Sequence, residues 1–257
     1  MISLIRLYRI FLVSVLMAIL VVALKYVLHI LGFEPVEQSS LHNGVISSVT
    51  FVIGFLLSAT IADYKESERM PSEFAAQVEN MYDDAASSIY QNYPTFDIEG
   101  FRSQMYKIAT GFTKDARRRS YDVRNDIRGL LPYFAEMEKG GVPANFIVKL
   151  KQQQMALLRS RHRVNYIQRI KFIPSATILA RSIVIVLIAL LLVTDINPFY
   201  GGLVMIGLIS FILIYMLILI RVISTPFHKA GRTQDDVSLF LIKDAVNYLK
   251  NQANKTK

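Results

Sequence analysis

Apolar and polar positions along the chain separate into long uncharged runs and one long charged middle. From Gly44 to Ala62 the sequence carries 19 uncharged residues, then continues with neither glycine nor proline into Asp63-Tyr64-Lys65-Glu66-Ser67-Glu68-Arg69. This pattern predicts one helix, Gly44 to Met70, that crosses lipid and emerges into water. At about 1.5 Å per residue it would measure roughly 40 Å, against a hydrocarbon core of roughly 30 Å. Ser47, Phe51 and Phe55 recur on it at i, i+4 and i+8, and the small residues Thr50, Gly54, Ser58 and Ala62 recur at the same spacing. The helix therefore has one face with aromatic residues and one thin enough for close packing.

Three other stretches are long enough to span a bilayer. They are Ile10 to Phe33, interrupted by Lys25 and His29; Phe172 to Thr194, interrupted by Arg181; and Phe199 to Ile220, which is uncharged. Between the second and third lies a region with 18 Lys and Arg against 13 Asp and Glu from Tyr64 to Lys171. Its periodicity is helical. Met70-Pro71-Ser72-Glu73 predicts a boundary or kink with Ser72 as an N-cap, and Phe74, Val78, Met81, Ala85 and Ile89 mark the buried stripe of a helix ending before Pro94. Asp97 predicts the cap of the next helix, ending near Gly111. A third is expected from about Thr113 to Lys139, kinked or broken near Pro132. Gly140-Gly141-Val142-Pro143 is the clearest break, and a last helix starts at Ala144. No alternating strand pattern and no internal repeat is visible.

The expected fold is thus an all-α integral membrane protein with four transmembrane helices and a helical bundle inserted between the second and third. The divisions fall at 1–63, 64–171, 172–221 and 222–257. Composition agrees: 53% of the 257 residues are hydrophobic, and the mean hydropathy is positive, beyond the range of ordinary soluble domains. The competing reading of the first span is a cleaved signal peptide, but its apolar run exceeds the about 15 residues of an h-region and lacks an Ala-x-Ala-like exit. Arg6 and Arg9 precede the first span, and Arg221, Lys229 and Arg232 follow the fourth, whereas Glu34 to Asn43 has no Lys or Arg. By the positive-inside rule both termini and the central region face the cytoplasm of a cell membrane. With no cysteine, disulfides and thiolate metal sites are excluded.

Catalytic patterns are missing. His29, His42, His162 and His228 are scattered without ligand spacing, and no nucleophile elbow, phosphate-binding glycine loop or dinucleotide fingerprint occurs. Neither an enzyme nor a cofactor is expected, and no metal site is assigned. The basic runs Lys114 to Arg119 and Arg159 to Arg163 fit a solvated face paired with Asp115, Asp122 and Asp126, or a surface for anionic lipid or for anions entering a vestibule. Nucleic acid is not expected, because no aromatic residues interleave for base stacking. Arg181 sits within the lipid at a cost of roughly 2.5 to 3.5 kcal/mol on insertion scales. It marks an ion pathway, or else caps carbonyls or pairs with an acid such as Asp63. Lys25 and His29 are expected to snorkel to the headgroups.

Several local motifs in this order resemble the bestrophin family. Phe51-Val52-Ile53-Gly54-Phe55 is similar to the aromatic-x-x-Gly-Phe of the bestrophin neck helix, and Ala62-Asp63-Tyr64-Lys65-Glu66 to the aromatic and acidic stretch after it. Ile173-Pro174 matches the Ile-Pro that opens the third span, and Thr225-Pro226-Phe227 with Asp235-Asp236 the Pro-Phe and acidic cluster after the fourth. The four-span layout with its long insert extends the resemblance over nearly the whole chain.

The resemblance implies a homopentameric ion channel in which five copies of the second span line a hydrophobic neck. Carried over by position, Ser47, Phe51 and Phe55 face the neck and Ile173 forms the cytoplasmic aperture. Two rings of Phe would make a constriction that gates by dewetting, with ring edges weakly favouring anions. Without the resemblance, the same aromatic pair suits lipid or intrahelical packing. Ser47 replaces a bulky apolar residue of animal members and implies a shorter or wetter neck. The family would place calcium at Asp235 and Asp236, but His228 to Arg232 intervene where calcium-activated members carry dense acids, and both residues also suit a helix N-terminus. The partners implied are further copies of the chain, membrane lipid and small monovalent ions, with anions slightly favoured although prokaryotic members can favour cations. A rival reading is a non-conducting membrane-anchored scaffold or sensor that uses its basic helices to bind a partner or anionic lipid.

Overall fold

A computed structural model describes residues 8–118, 121–169, 174–227 and 236–253. In chain order these hold α1 (Arg9–Ile30), β1 (Val36–Glu37), α2 (Ser40–Asp84), α3 (Ile98–Arg118), α4 (Arg124–Arg128) and α5 (Leu131–Lys139). They continue with α6 (Ala144–Arg169), α7 (Pro174–Val193), β2 (Thr194–Asp195), α8 (Phe199–Ile223) and α9 (Phe240–Ala253). Two compact units result. One gathers the described residues up to Tyr64 with those from 174 to 226, and the other those from Lys65 to 169 with Phe227 and those from 236.

The first unit contains the apolar runs. Four helices are long and apolar enough to cross a membrane: Arg9–Ile30, Ser40–Tyr90, Ser175–Val193 and Phe199–Ile223. Helix lets each such run satisfy its own backbone polar groups in lipid, where the alternative is a closed barrel of strands. Val49, Ile53 and Leu56 of α2 pack with Ala180, Val184, Leu187 and Leu191 of α7, Val21 of α1 and Ile206, Leu213 and Ile220 of α8. Close α1–α8 packing is set by Gly207, where an added Cβ would lie 3.1 Å from Val22. Parallel pairing of Val36 with Thr194 and Glu37 with Asp195 joins the segment after α1 to the turn after α7. At two residues each, these strands are too short to leave an alternating pattern in the sequence.

In the second unit the predicted stripe Phe74, Val78, Met81, Ala85 and Ile89 is buried throughout. Phe74 stacks on Phe112 of α3 with ring centroids 3.8 Å apart. The expected boundary at Met70-Pro71-Ser72 is absent: α2 runs through Pro71 and extends as a π-helical turn, Ala85–Tyr90. An interior proline costs about 3 kcal/mol, while each large apolar side chain buried contributes about 1.5–3 kcal/mol. Met70, Phe74, Val78 and Met81, all buried, outweigh it. Ser72 is therefore a mid-helix residue and not a cap.

Asp97 does cap α3, with its Oδ1 accepting from the Gly100 N–H at 2.8 Å. That helix passes Gly111 and continues to Arg118. Gly111 serves close approach and not termination, since a Cβ there would lie 2.8 Å from the Tyr121 ring and 2.9 Å from Asp126 Oδ2. The single helix expected from Thr113 to Lys139 is instead the end of α3, then α4 and α5, with Pro132 in the first turn of α5 where its missing N–H costs nothing. The break at Gly140 to Pro143 and the start at Ala144 stand as expected, and Gly141 there adopts φ +79°, a conformation open to glycine.

Candidate functional site

In α2 the spacing of Ser47, Phe51 and Phe55 becomes a single exposed face. Phe51 is 75% and Phe55 70% exposed, and Ser47 is exposed beside them. Val49, Ile53, Leu56 and Thr60 occupy the other side and are buried. Hydroxyls in the same stretch turn back on the helix: Ser48 Oγ donates to Gly44 O at 2.8 Å, Thr50 Oγ1 to Ile46 O at 2.8 Å and Thr60 Oγ1 to Leu56 O at 2.7 Å. Their donors are thus satisfied without a partner helix. An added Cβ at Gly54 would meet nothing within 4 Å, so the small row is uncovered in one copy of the chain.

At one end of this face lies a polar network the sequence reading placed wrongly. Lys25 does not reach out to headgroups. It is 1% exposed, with Nζ 2.6 Å from Glu34 Oε1 and donating to Leu192 O at 3.2 Å and to Thr194 O at 2.5 Å. The turn after α1 brings Glu34 back over α1, where it supplies the counter-charge that a buried ammonium requires. Burial pushes the Glu34 carboxyl up, but hydrogen bonds from Lys25 and His29 outweigh it and hold the group below the usual carboxylate range. His29 Nδ1 lies 2.7 Å from Glu34 Oε2, and its ring stacks on Phe199 at 3.7 Å. Beyond Thr194 the chain of contacts reaches His42, whose Nε2 is 3.2 Å from Thr194 Oγ1.

Several charges of the second unit pair within it. Arg163 forks onto Glu66, donating from Nε at 2.9 Å and Nη2 at 2.6 Å, and this holds the Glu66 carboxyl low. Arg161 is 5% exposed and bridges Asp115 at 2.9 Å and Asp122 at 3.1 Å. Arg124 also binds Asp122. The Arg124 hydrogen bond, with Arg161 nearby, lowers the Asp122 carboxyl to about 2. Tyr121 donates to Asp126 Oδ2 at 2.5 Å, which with burial pushes its phenol up to about 12. Arg159 and His162 remain exposed on α6, so the basic run splits into inward and outward residues.

The remaining predicted positions are Arg181, Asp235, Asp236 and Ile173. Arg181 is exposed on α7 and makes no ion pair among the described residues. Asp236 is partly buried in the segment before α9, in the second unit. Ile173 and Asp235 lie outside the described residues. Among the described residues, no three His, Cys, Asp or Glu side chains gather as a metal site would require. The sequence reading missed Arg161 as a core residue, although the signal was present. Leu150, Gln154, Leu157, Arg161 and Val164 recur at helical spacing and are all buried, so Arg161 continues a stripe.

No protein-family model matches the chain, and no curated protein matches it by sequence. Solved structures do resemble it. A mutated bacterial bestrophin homolog from Klebsiella pneumoniae superposes with a TM-score of 0.76 at 12% identity, over 96% of this chain and 98% of that one. A second crystal structure of a Klebsiella pneumoniae bestrophin homolog gives 0.75 at 13% identity, over 95% and 97%. A variant described as a membrane protein gives 0.76 at 13%, over 95% and 97%. The chain is an all-α membrane protein with a bestrophin-like fold.

Proposed function

We propose, from this bestrophin-like fold, that the chain is one subunit of a homopentameric ion channel whose neck is lined by α2. The observation that carries the reading is the uncovered aromatic face of α2. Phe51 and Phe55 stand outward one turn apart while the opposite side of the same helix is packed into its own unit. Five such faces around an axis would form two successive hydrophobic rings, wetter at Ser47, that pass small monovalent ions when hydrated and block them when dry. The row Thr50, Gly54, Ser58 and Ala62 would let neighbouring α2 helices approach closely. Ring edges favour anions slightly over cations. On this reading Ile173 forms the aperture at the far end of the pathway, and Arg181 contributes positive potential along it.

The distribution of Lys and Arg supports a cell-membrane channel with both termini and the second unit on the cytoplasmic side. Purified protein reconstituted in liposomes should release trapped monovalent ions. Protein of verified oligomeric state that passes neither anions nor cations would fit the membrane-anchored scaffold instead.

A further inference from the structure

His42 is 8% exposed and has both ring nitrogens engaged in fixed roles. Nδ1 accepts from the Ser39 backbone N–H at 3.1 Å and lies 3.0 Å from Ser39 Oγ. A nitrogen that accepts from a backbone N–H carries no proton, so the proton of the neutral ring is on Nε2. That proton points to Thr194 Oγ1 at 3.2 Å, and the Thr194 hydroxyl in turn donates to Leu190 O at 2.6 Å. Ser39 precedes the first residue of α2, and the His42 N–H returns to Ser39 O at 3.1 Å. The arrangement is the returning half of a capping box, in which the third residue of a helix reaches back to the N–H of the cap, while the His42 N–H bonds the Ser39 carbonyl and not its hydroxyl. Glu or Gln normally fills that place and remains an acceptor at neutral pH. Histidine does not, because the imidazolium is a donor at both nitrogens.

We propose that His42 is a proton-responsive cap of α2: neutral, it closes the first turn onto Ser39, and protonated, it releases Ser39 and frays that turn. Protonation of Nδ1 sets two N–H groups against each other. It also adds a cation at the positive end of a helix and a second charge beside Thr194, whose carbonyl already holds the Lys25 ammonium. Nε2 keeps its proton in both states, so the tie to Thr194 persists and the change falls on Ser39. The other ionisable groups on the surrounding elements are Lys25 and His29 of α1, Glu34 and Glu37 of the segment before α2, and Asp195 of β2. His29, the other histidine of these elements, contacts Glu34 and not Ser39.

The test reads the turn itself and so is independent of conduction. Hydrogen exchange of the first amides of α2 is compared between full-length wild type and His42→Gln at about pH 8 and about pH 5, the range in which histidines titrate. Gln retains the acceptor, and same-pH ratios over the amides of Ser39 to Leu41, which the substituted side chain does not flank, cancel the intrinsic pH dependence of exchange. The two proteins should exchange alike at the higher pH, and the wild type about tenfold faster at the lower, the scale of a lost cap. A ratio unchanged between the two pH values overturns the proposal. So does loss of the acid response in His29→Gln, which should retain it. Nitrogen NMR of labelled histidine in the unmutated protein needs no variant: the Ser39 amide must lose its hydrogen-bonded shift as His42 Nδ1 gains a proton, and an amide that holds its shift overturns the proposal.

Discussion

Phe51 and Ile53 sit two residues apart on α2 and face opposite surroundings, the first 75% exposed and the second fully buried. Near 100° of rotation per residue, this separation carries a side chain to the far side of the helix. The contrast makes a stability prediction. Ile53→Ala removes a side chain from the core shared with α7 and α8 and should cost about 2–5 kcal/mol. Phe51→Ala should stay within about 0.5 kcal/mol in a dissociated subunit, as exposed substitutions do. Thermal unfolding in detergent measures both, and a Phe51→Ala loss as large as that of Ile53→Ala would place Phe51 in the core.

Lys25 and Glu34 form a buried pair, 1% and 9% exposed at their side chains. Removing one partner of such a pair strands the other, at about 3–5 kcal/mol. Lys25→Met should therefore lower the unfolding temperature sharply, and Lys25→Met with Glu34→Gln should recover much of the loss. A lysine that merely snorkels would give a neutral Lys25→Met.

Arg161→Ala should destabilise the second unit on a similar scale, because Asp115 and Asp122 lose their shared buried cation. Arg161→Lys should not restore it, since an ammonium lacks the fork that reaches both acids. Full rescue by Lys would show that charge alone suffices there.

Acid should weaken the same cluster. The Asp122 carboxyl falls from an ordinary value near 3.8 to about 2 in the folded protein. Its contribution is therefore present above about pH 4 and lost as the pH falls through about 2. At 36% exposure the side chain is partly screened, so the loss is modest. Asp122→Asn should flatten this part of the stability curve, and an unchanged acid limb would assign it to other carboxylates.

Features governed by one helix were legible in the sequence, and features set by packing between elements were not. The Phe51–Phe55 face, the Asp97 cap and the glycine break at Gly140 and Gly141 depend on spacing or on one residue's backbone preference. Pro71 misled because its cost is local while the burial that overrides it comes from other helices. Gly111 misled for the same reason, since Tyr121 and Asp126 arrive from beyond the turn. Lys25 reads as a headgroup residue because no one-dimensional pattern brings Glu34 and the Thr194 carbonyl to it. In each case a residue type carries two readings, and a neighbour distant in sequence decides between them.

Ion flux through proteoliposomes holding the wild type and the Phe51→Ala/Phe55→Ala double variant, each of the same verified oligomeric state, tests most directly whether α2 lines a conducting neck. Widening and wetting two hydrophobic rings should raise the flux or the open probability. Equal currents from the two proteins would remove Phe51 and Phe55 from the ion path.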